Sequence, residues 1–180
     1  MNVVSASDRA SLAGMLDTGW NPPQRVVDEV SEIVADVRNR KDAALIDYAR
    51  RFDDEAFDLS KLRVPIPMLE AARGHISREL AAALELAKER IARFHQRQRR
   101  SDIAYVEEDG SRYAVHRRSL GSAAAYVARG GSPSSVLMVA VPAKIAGVDR
   151  LIVLTPPRAG GLPAPLLFAC ALCGVDELYA

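Results

Sequence analysis

Cysteine, charge of one sign and long apolar runs are all scarce in this sequence. Its two cysteines are too few for a disulfide framework, so a disulfide-rich secreted domain is excluded and a reducing, cytoplasmic setting is expected. No stretch approaches the roughly 18 apolar residues of a membrane-spanning helix, and no signal peptide is recognisable at residues 1–14. The 24 basic and 23 acidic residues nearly cancel, so the net charge favours neither nucleic acid nor a membrane as a partner.

What is present is the composition of a globular protein. Hydrophobic residues make up 49% and charged residues 26% of 180 residues, which is enough to bury a substantial core. We therefore expect one ordinary domain, or one domain with a small appendage.

The first half of the chain predicts helices. Residues 1–23 are predicted to form an irregular arm and residues 24–100 a helical region. Apolar residues recur at helical spacing from Gln24 to about Arg38, and Asp42 is expected to cap a second helix after a break at 39–41.

A proline-flanked segment and a long helix complete this region. Pro65 and Pro67 exclude a central strand at residues 62–66 but allow a short extended piece. The longest helix is predicted from Ser77 to about Gln98. Its predicted core-facing residues are Leu80, Ala83, Leu84, Ala87, Ile91 and Phe94.

The second half, residues 101–180, alternates strands and helices. Two segments around Asp109–Gly110 predict a β-hairpin. Strands are predicted at 123–128, 151–155 and 177–180, with helices at 134–147 and 164–173 between them. This order indicates an α/β fold, the first part of an incomplete doubly wound, Rossmann-like nucleotide-binding domain. Because the last strand is predicted to lack a partner, the chain is expected to be truncated.

The turn between the first of these strands and its helix is the best binding-site candidate from pattern alone. Gly130 and Gly131 lie in it, and Ser134 and Ser135 open the helix. Such a turn presents backbone N–H groups and the positive end of a helix to an anion such as pyrophosphate. The G-x-G-x-x-G pattern is absent, so a plain connecting turn is the alternative.

Three other groups are interpreted without a catalytic role. Cys170 and Cys173 form a C-x-x-C within an apolar helix and are predicted to be buried and free. The three histidines fall in separate segments, so a metal site from this chain alone is not expected. An arginine-rich run over residues 90–100 is interpreted as a solvated helix end, with a phosphate or nucleic-acid patch as the alternative.

Several strings in order along the chain are similar to those of one enzyme family. They are Val37-Arg38-Asn39-Arg40-Lys41-Asp42-Ala43-Ala44-Leu45 with Tyr48 and Arg51-Phe52-Asp53, Phe94-His95 with Gln98, Ser134-Ser135-Val136-Leu137-Met138, Val141-Pro142-Ala143-Lys144-Ile145-Ala146-Gly147-Val148, Thr155-Pro156-Pro157 and Cys173-Gly174-Val175-Asp176. Residues 24–180 thereby resemble the histidinol dehydrogenases.

The resemblance implies a cytoplasmic homodimer that oxidises L-histidinol to L-histidine, reduces NAD and uses zinc to bind the substrate. It implies that Tyr126 contacts NAD, with Gly130, Gly131, Ser134 and Ser135 lining the pocket. An aromatic residue that simply packs is the alternative for Tyr126. The family's zinc ligands and its catalytic glutamate–histidine pair are expected beyond residue 180. The resemblance therefore implies no catalytic or metal residue in this chain, and an isolated chain without activity.

One segment departs from the family pattern. The family has Pro-Gly-Gly after its tyrosine, whereas this chain has Ala128-Arg129-Gly130-Gly131, so a bulky cation replaces a restricted turn. Two alternatives stay open, the first because the residues that choose the substrate are expected mostly beyond residue 180, and the second because of this altered loop. One is a related dehydrogenase acting on another alcohol, and the other is a degenerate, non-catalytic binding protein.

Overall fold

The chain forms two compact units in a computed structural model that describes residues 5, 7–16, 21–128, 132–158 and 160–180. The units comprise residues 1–45 and 46–180. The division falls between residues 45 and 46, and the predicted regions bounded at residues 23 and 100 stay predictions. No helix within the described ranges is long and apolar enough to cross a membrane.

The first unit is helical and begins earlier than predicted. The expectation of an irregular arm at 1–23 is wrong, because helix α1 spans Arg9–Leu16. Asp8 starts this helix by accepting a hydrogen bond of 3.1 Å from the Ser11 N–H and one of 2.7 Å from its hydroxyl. Helix α2, Gln24–Arg40, confirms the predicted periodicity.

The break predicted at residues 39–41 is a single residue in the structure. Lys41 adopts a positive φ of 54°, and helix α3 follows at Asp42–Phe52. Asp42 is thus the first residue of α3 and not its cap.

In its described residues, the second unit contains the larger part of α3, one mixed sheet, a hairpin and four further helices. Its elements are β1 (Arg63–Val64), α4 (Ile66–Ala71) with a 3-10 turn at Ala72–His75, α5 (Arg78–Gln96), β2 (Ile103–Val106), β3 (Arg112–Val115), β4 (Ser122–Tyr126), α6 (Pro133–Ile145), β5 (Arg150–Leu154), α7 (Ala164–Leu172) and β6 (Glu177–Tyr179). The start of α5 is as predicted, since the Ser77 hydroxyl accepts a hydrogen bond of 3.1 Å from the Leu80 N–H.

The sheet has the strand order β1-β6-β5-β4. Strands β4, β5 and β6 are parallel, and β1 pairs antiparallel with β6. The expectation that the last strand lacks a partner is therefore wrong. The short β1, which ends at Pro65, covers the edge of β6, so β6 is an interior strand.

Helices cover one face of this sheet. Helix α6 packs against both α5 and α7, and α4 packs against α7. Fully buried residues between the helices and the strands include Leu137, Leu151, Val153, Cys170 and Leu178. The α/β class is confirmed, and strands β4 to β6 with α6 and α7 form one βαβαβ half of a nucleotide-binding arrangement.

Helix α5 buries part of the predicted face. The predicted residues that pack against the core are Leu84, Ala87 and Ile91. Phe94, also predicted to lie in the core, is 60% exposed, and Leu80 and Ala83 are exposed as well. Ala81, which was not predicted, is buried. The prediction for this face is therefore confirmed in part.

The predicted hairpin is confirmed. Strands β2 and β3 pair with each other alone, in register from Ile103 opposite Val115 to Val106 opposite Arg112. Gly110 makes the turn with a φ of 86°, a conformation that favours glycine. Both strands are exposed along their whole length.

Candidate functional site

Three parallel strands end together at one edge of the sheet. Tyr126, Leu154 and Tyr179 are in register at the carboxyl ends of β4, β5 and β6. Helix α6 begins at Pro133, shortly after β4 ends at this edge. In open α/β sheets, ligands bind in the crevice outside the carboxyl ends of the strands. This edge is therefore the candidate site.

Tyr126 stands at this edge with an exposed side chain. Ala123 and Ala125 pack against the core, so strand alternation places Tyr126 on the opposite face of the sheet. The tyrosine is 69% exposed. The next residue, Val127, is 2% exposed, and its N–H donates a hydrogen bond of 2.8 Å to the Leu154 carbonyl. A rigid strand end thus presents an accessible aromatic ring.

The first turn of α6 supplies polar groups to the same edge. Ser132 is the N-cap residue, and its carbonyl accepts a hydrogen bond of 2.9 Å from the Ser135 N–H. The Ser132 and Ser134 hydroxyls are hydrogen-bonded to each other. Ser134 is exposed and Ser135 half-buried. The two predicted glycines, Gly130 and Gly131, lie outside the described residues.

The chemistry of this edge is that of anion and ring binding. The N-terminal end of a helix carries a partial positive charge that stabilises phosphate groups. Serine hydroxyls donate hydrogen bonds to the same groups, and an exposed tyrosine ring offers a surface for stacking. Among the described residues, this edge therefore combines groups that suit an anion with an exposed aromatic ring, and it offers no nucleophile with an adjacent base.

The face of the sheet away from the helices carries an ionic cluster that the sequence did not reveal. Arg150 donates from Nε to Glu177 Oε1 at 2.5 Å, and the Tyr179 hydroxyl donates to Oε2 at 2.5 Å. Arg63 Nη2 lies 3.5 Å from the same carboxylate. The hydrogen bond from Arg150, followed by that from Tyr179, lowers the pKa of Glu177 to about 2. This carboxylate is ionised at neutral pH and is held by three partners.

The sequence signal that could have indicated this cluster is the alternation of side chains between the two faces of each strand. Arg150, Ile152 and Leu154 share one face of β5, and Glu177 and Tyr179 share that face of β6. Only the register brings Arg150 close to Glu177, and one sequence does not specify the register.

The two cysteines are free and buried, as predicted. Burial raises the pKa of the Cys170 thiol to about 12 and that of Cys173 to about 11, and Lys88 opposes the second shift. A thiol with such a pKa is protonated at neutral pH, so these residues belong to the core.

The described residues do not supply the donor set of a zinc site. Within residues 5, 7–16, 21–128, 132–158 and 160–180, no group of three or more histidine, cysteine or acidic side chains is arranged to hold a metal ion. The zinc implied by the family resemblance therefore does not fit the described part of this chain.

Comparison with known proteins decides the family. The model of the family described as histidinol dehydrogenase matches residues 20–180. The chain belongs to the histidinol dehydrogenase family. The resemblance inferred from its motifs is confirmed.

Individual histidinol dehydrogenases align along nearly the whole chain. The enzyme of Rhodospirillum rubrum is 42% identical over 177 residues, which are 97% of this chain and 41% of that protein. The enzyme of Gluconobacter oxydans is 36% identical over 181 aligned residues, covering 99% of this chain and 42% of that protein. This chain thus spans about two-fifths of the length of these curated relatives.

A solved structure agrees with the fold. The crystal structure of histidinol dehydrogenase from Elizabethkingia anophelis superposes with a TM-score of 0.80 at 28% identity. The match covers 89% of this chain and 37% of that one. The βαβαβ arrangement described above therefore has a counterpart in the family.

Proposed function

We propose that this chain forms the N-terminal part of a histidinol dehydrogenase that oxidises L-histidinol to L-histidine with NAD. The observation that carries the proposal is the carboxyl edge of the sheet. There, Tyr126 at the end of β4 and the first turn of α6 lie at the same edge of the sheet in a chain that belongs to this family. The oxidation proceeds in two steps through an aldehyde, and each step passes a hydride to one NAD.

The residues of this chain fit NAD as binding groups. The exposed Tyr126 ring supplies a surface for one of the rings of NAD. The N-terminal end of α6, with the Ser134 hydroxyl, supplies partial positive charge and a hydrogen-bond donor for its pyrophosphate. NAD, when bound, supplies the hydride acceptor, and this chain binds and orients it.

Proton transfer and substrate coordination are assigned to no residue of this chain. The described residues hold no donor set for zinc, so no step through zinc is derived. We propose that catalytic groups and the zinc site come from the part of the relatives that this chain does not span. Assembly as a homodimer is part of the same proposal.

Activity measurements with a chimera test the proposal. The chain is joined to the portion of the Rhodospirillum rubrum enzyme that it does not align with, and NADH formation from L-histidinol is followed by absorbance. We expect turnover by the chimera and none by the 180-residue chain alone. A folded chimera that fails to oxidise histidinol, while the intact relative is active, would refute the proposal.

Tyr126 is tested in the same chimera. Replacing the tyrosine by alanine removes a ring worth about 1 kcal/mol or more of contact, so we expect the KM for NAD to rise about fivefold or more. Tyr113→Ala is the matched control, because Tyr113 is also an exposed strand tyrosine but lies in the hairpin. Equal effects of the two substitutions would argue against a role of Tyr126 in NAD binding.

A further inference from the structure

A cavity with an unusual concentration of arginine lies away from the candidate site. Its volume is 740 Å³, and its charged lining comes from two separate segments. Arg99 and Arg100 follow the end of α5, and Arg117 and Arg118 follow β3. We call this cavity the arginine pocket.

The arginine pocket contains little negative charge to balance its arginines. Asp102 is the one acid among the described residues that line it. Its carboxylate is already engaged, since Oδ1 accepts a hydrogen bond of 2.8 Å from the Arg117 N–H and Oδ2 lies 3.1 Å from His116 Nδ1. Four arginine residues therefore line the cavity together with one carboxylate, which is bonded to the Arg117 N–H and to His116.

The end of α5 does not by itself explain this arrangement. Cations at a helix C-terminus offset the macrodipole, which accounts for an arginine near the last turn of α5. Arg117 and Arg118 belong to the segment between β3 and β4 and lie on no helix. Backbone contacts hold that segment in place, because Arg117 also donates from Nη1 to the Ser101 carbonyl. Two independent segments thus place like charges around one cavity, and this concentration of positive charge favours an anion there.

We propose that the arginine pocket binds the polyphosphate group of a small-molecule ligand. Arginine matches phosphate oxygens with paired hydrogen bonds, and several guanidinium groups together suit several phosphates. The volume of 740 Å³ lies within the usual range for small-molecule sites. Gln98 adds a polar group at the rim, where its side-chain carbonyl bonds His95 Nδ1 at 2.6 Å.

This pocket is distinct from the proposed NAD site. Ile145, Ala146 and Gly147, at the C-terminal end of α6, line the arginine pocket, whereas Ser134 opens the same helix at the candidate site. A helix of 13 residues is about 20 Å long, so the two sites lie at opposite ends of α6. The inference does not depend on the proposed dehydrogenase activity.

Calorimetric titration of the 180-residue chain with tripolyphosphate tests the proposal. We expect saturable binding that weakens as salt is raised, because exposed charges are screened. The double substitution Arg99→Ala with Arg118→Ala should weaken binding about tenfold. Arg117 is left intact, since its bond to Ser101 makes its loss structurally ambiguous.

A matched double variant separates the pocket from net charge. Arg78→Ala with Arg90→Ala removes the same charge from exposed positions of α5 that do not line the cavity, and we expect less than a twofold loss. Arg100→Gln provides a second, milder pocket variant if the double alanine variant does not fold. Absence of saturable binding by the unmodified chain, or equal losses in both double variants, would overturn the proposal.

Two further probes identify the ligand class. Equal affinity for ATP and tripolyphosphate means that the phosphate chain alone is recognised, and tighter binding of ATP assigns a nucleotide. Single-stranded DNA that binds more tightly than either probe, and that weakens equally in both double variants, would replace the proposal with a diffuse nucleic-acid surface.

Discussion

Glu177 lies on the open face of the sheet with two arginines and a tyrosine around its carboxylate. Its pKa is lowered to about 2, chiefly by Arg150, whereas the unfolded value is near 4.5. A depressed pKa adds stability above the unfolded value, and this stability is lost as the pH falls through the folded value. The contribution of Glu177 is therefore fully present above pH 4.5 and is lost between about pH 4.5 and pH 2.

The substitution Glu177→Gln tests how much the charge of this carboxylate contributes to stability. We expect the variant to melt at a lower temperature than the unmodified chain at pH 7, with the difference shrinking as the pH falls below 4.5. Thermal melts followed by circular dichroism across this range give the comparison. Glu55→Gln, at an exposed turn, is the control and should follow the unmodified chain. A constant difference at every pH would mean that packing, and not charge, explains the effect.

At the scale of one element, helix α5 carries some apolar residues that pack against the core and others that are exposed. Leu84 is 6% exposed and Phe94 is 60% exposed. We expect Leu84→Ala to lower the free energy of unfolding by about 2–5 kcal/mol, because it leaves a cavity in the core. Phe94→Ala should change it by about 0.5 kcal/mol or less, as at other surface positions.

Urea unfolding of both variants measures the two changes. Because phenylalanine is the larger side chain, a ranking by size alone would place the greater loss at Phe94. A loss at Phe94 equal to that at Leu84 would contradict the exposure described here.

The same helix shows what the sequence could predict. Its start was predictable because Ser77 is a local cap, and its extent followed from local periodicity. Its buried face was predictable only in part, because an alanine- and leucine-rich helix offers more than one apolar stripe. The position of α6 selects the stripe that packs, and α6 lies far along the chain.

The candidate site and its surroundings were likewise predictable from the sequence only in part. Tyr126 was predictable at a strand end because its flanking strand and helix have clear local patterns. The partners of Glu177 were not predictable, because Arg63 and Arg150 reach it only through strand pairing. The resemblance to one family predicted that Tyr126 contacts NAD. It predicted nothing about the arginine pocket.

At the scale of the whole molecule, burial and pairing predict a wide range of local stability. Strands β5 and β6 are each paired on both sides and supply buried residues to the core. Strands β2 and β3 form an isolated, exposed pair, and α2 buries no residue. We expect amide hydrogen exchange to be slowest in β5 and β6, and faster in the hairpin and α2 by orders of magnitude.

Hydrogen exchange followed by mass spectrometry measures this range peptide by peptide. Protection of the hairpin equal to that of β5 would show that another surface covers it. Tripolyphosphate should slow exchange next to the arginine pocket and leave α2 unchanged, which provides an internal reference.

The pairing of β1 with β6 also has a consequence for biosynthesis. Val64 emerges from the ribosome early, whereas its partner Leu178 is made only after nearly all the rest of the second unit. The helices α4 and α5 can form as soon as they are synthesised, but the sheet cannot close until the last strand arrives. Until then the nascent chain exposes the apolar surface that β6 will cover, so chaperones have their longest opportunity to bind during this interval.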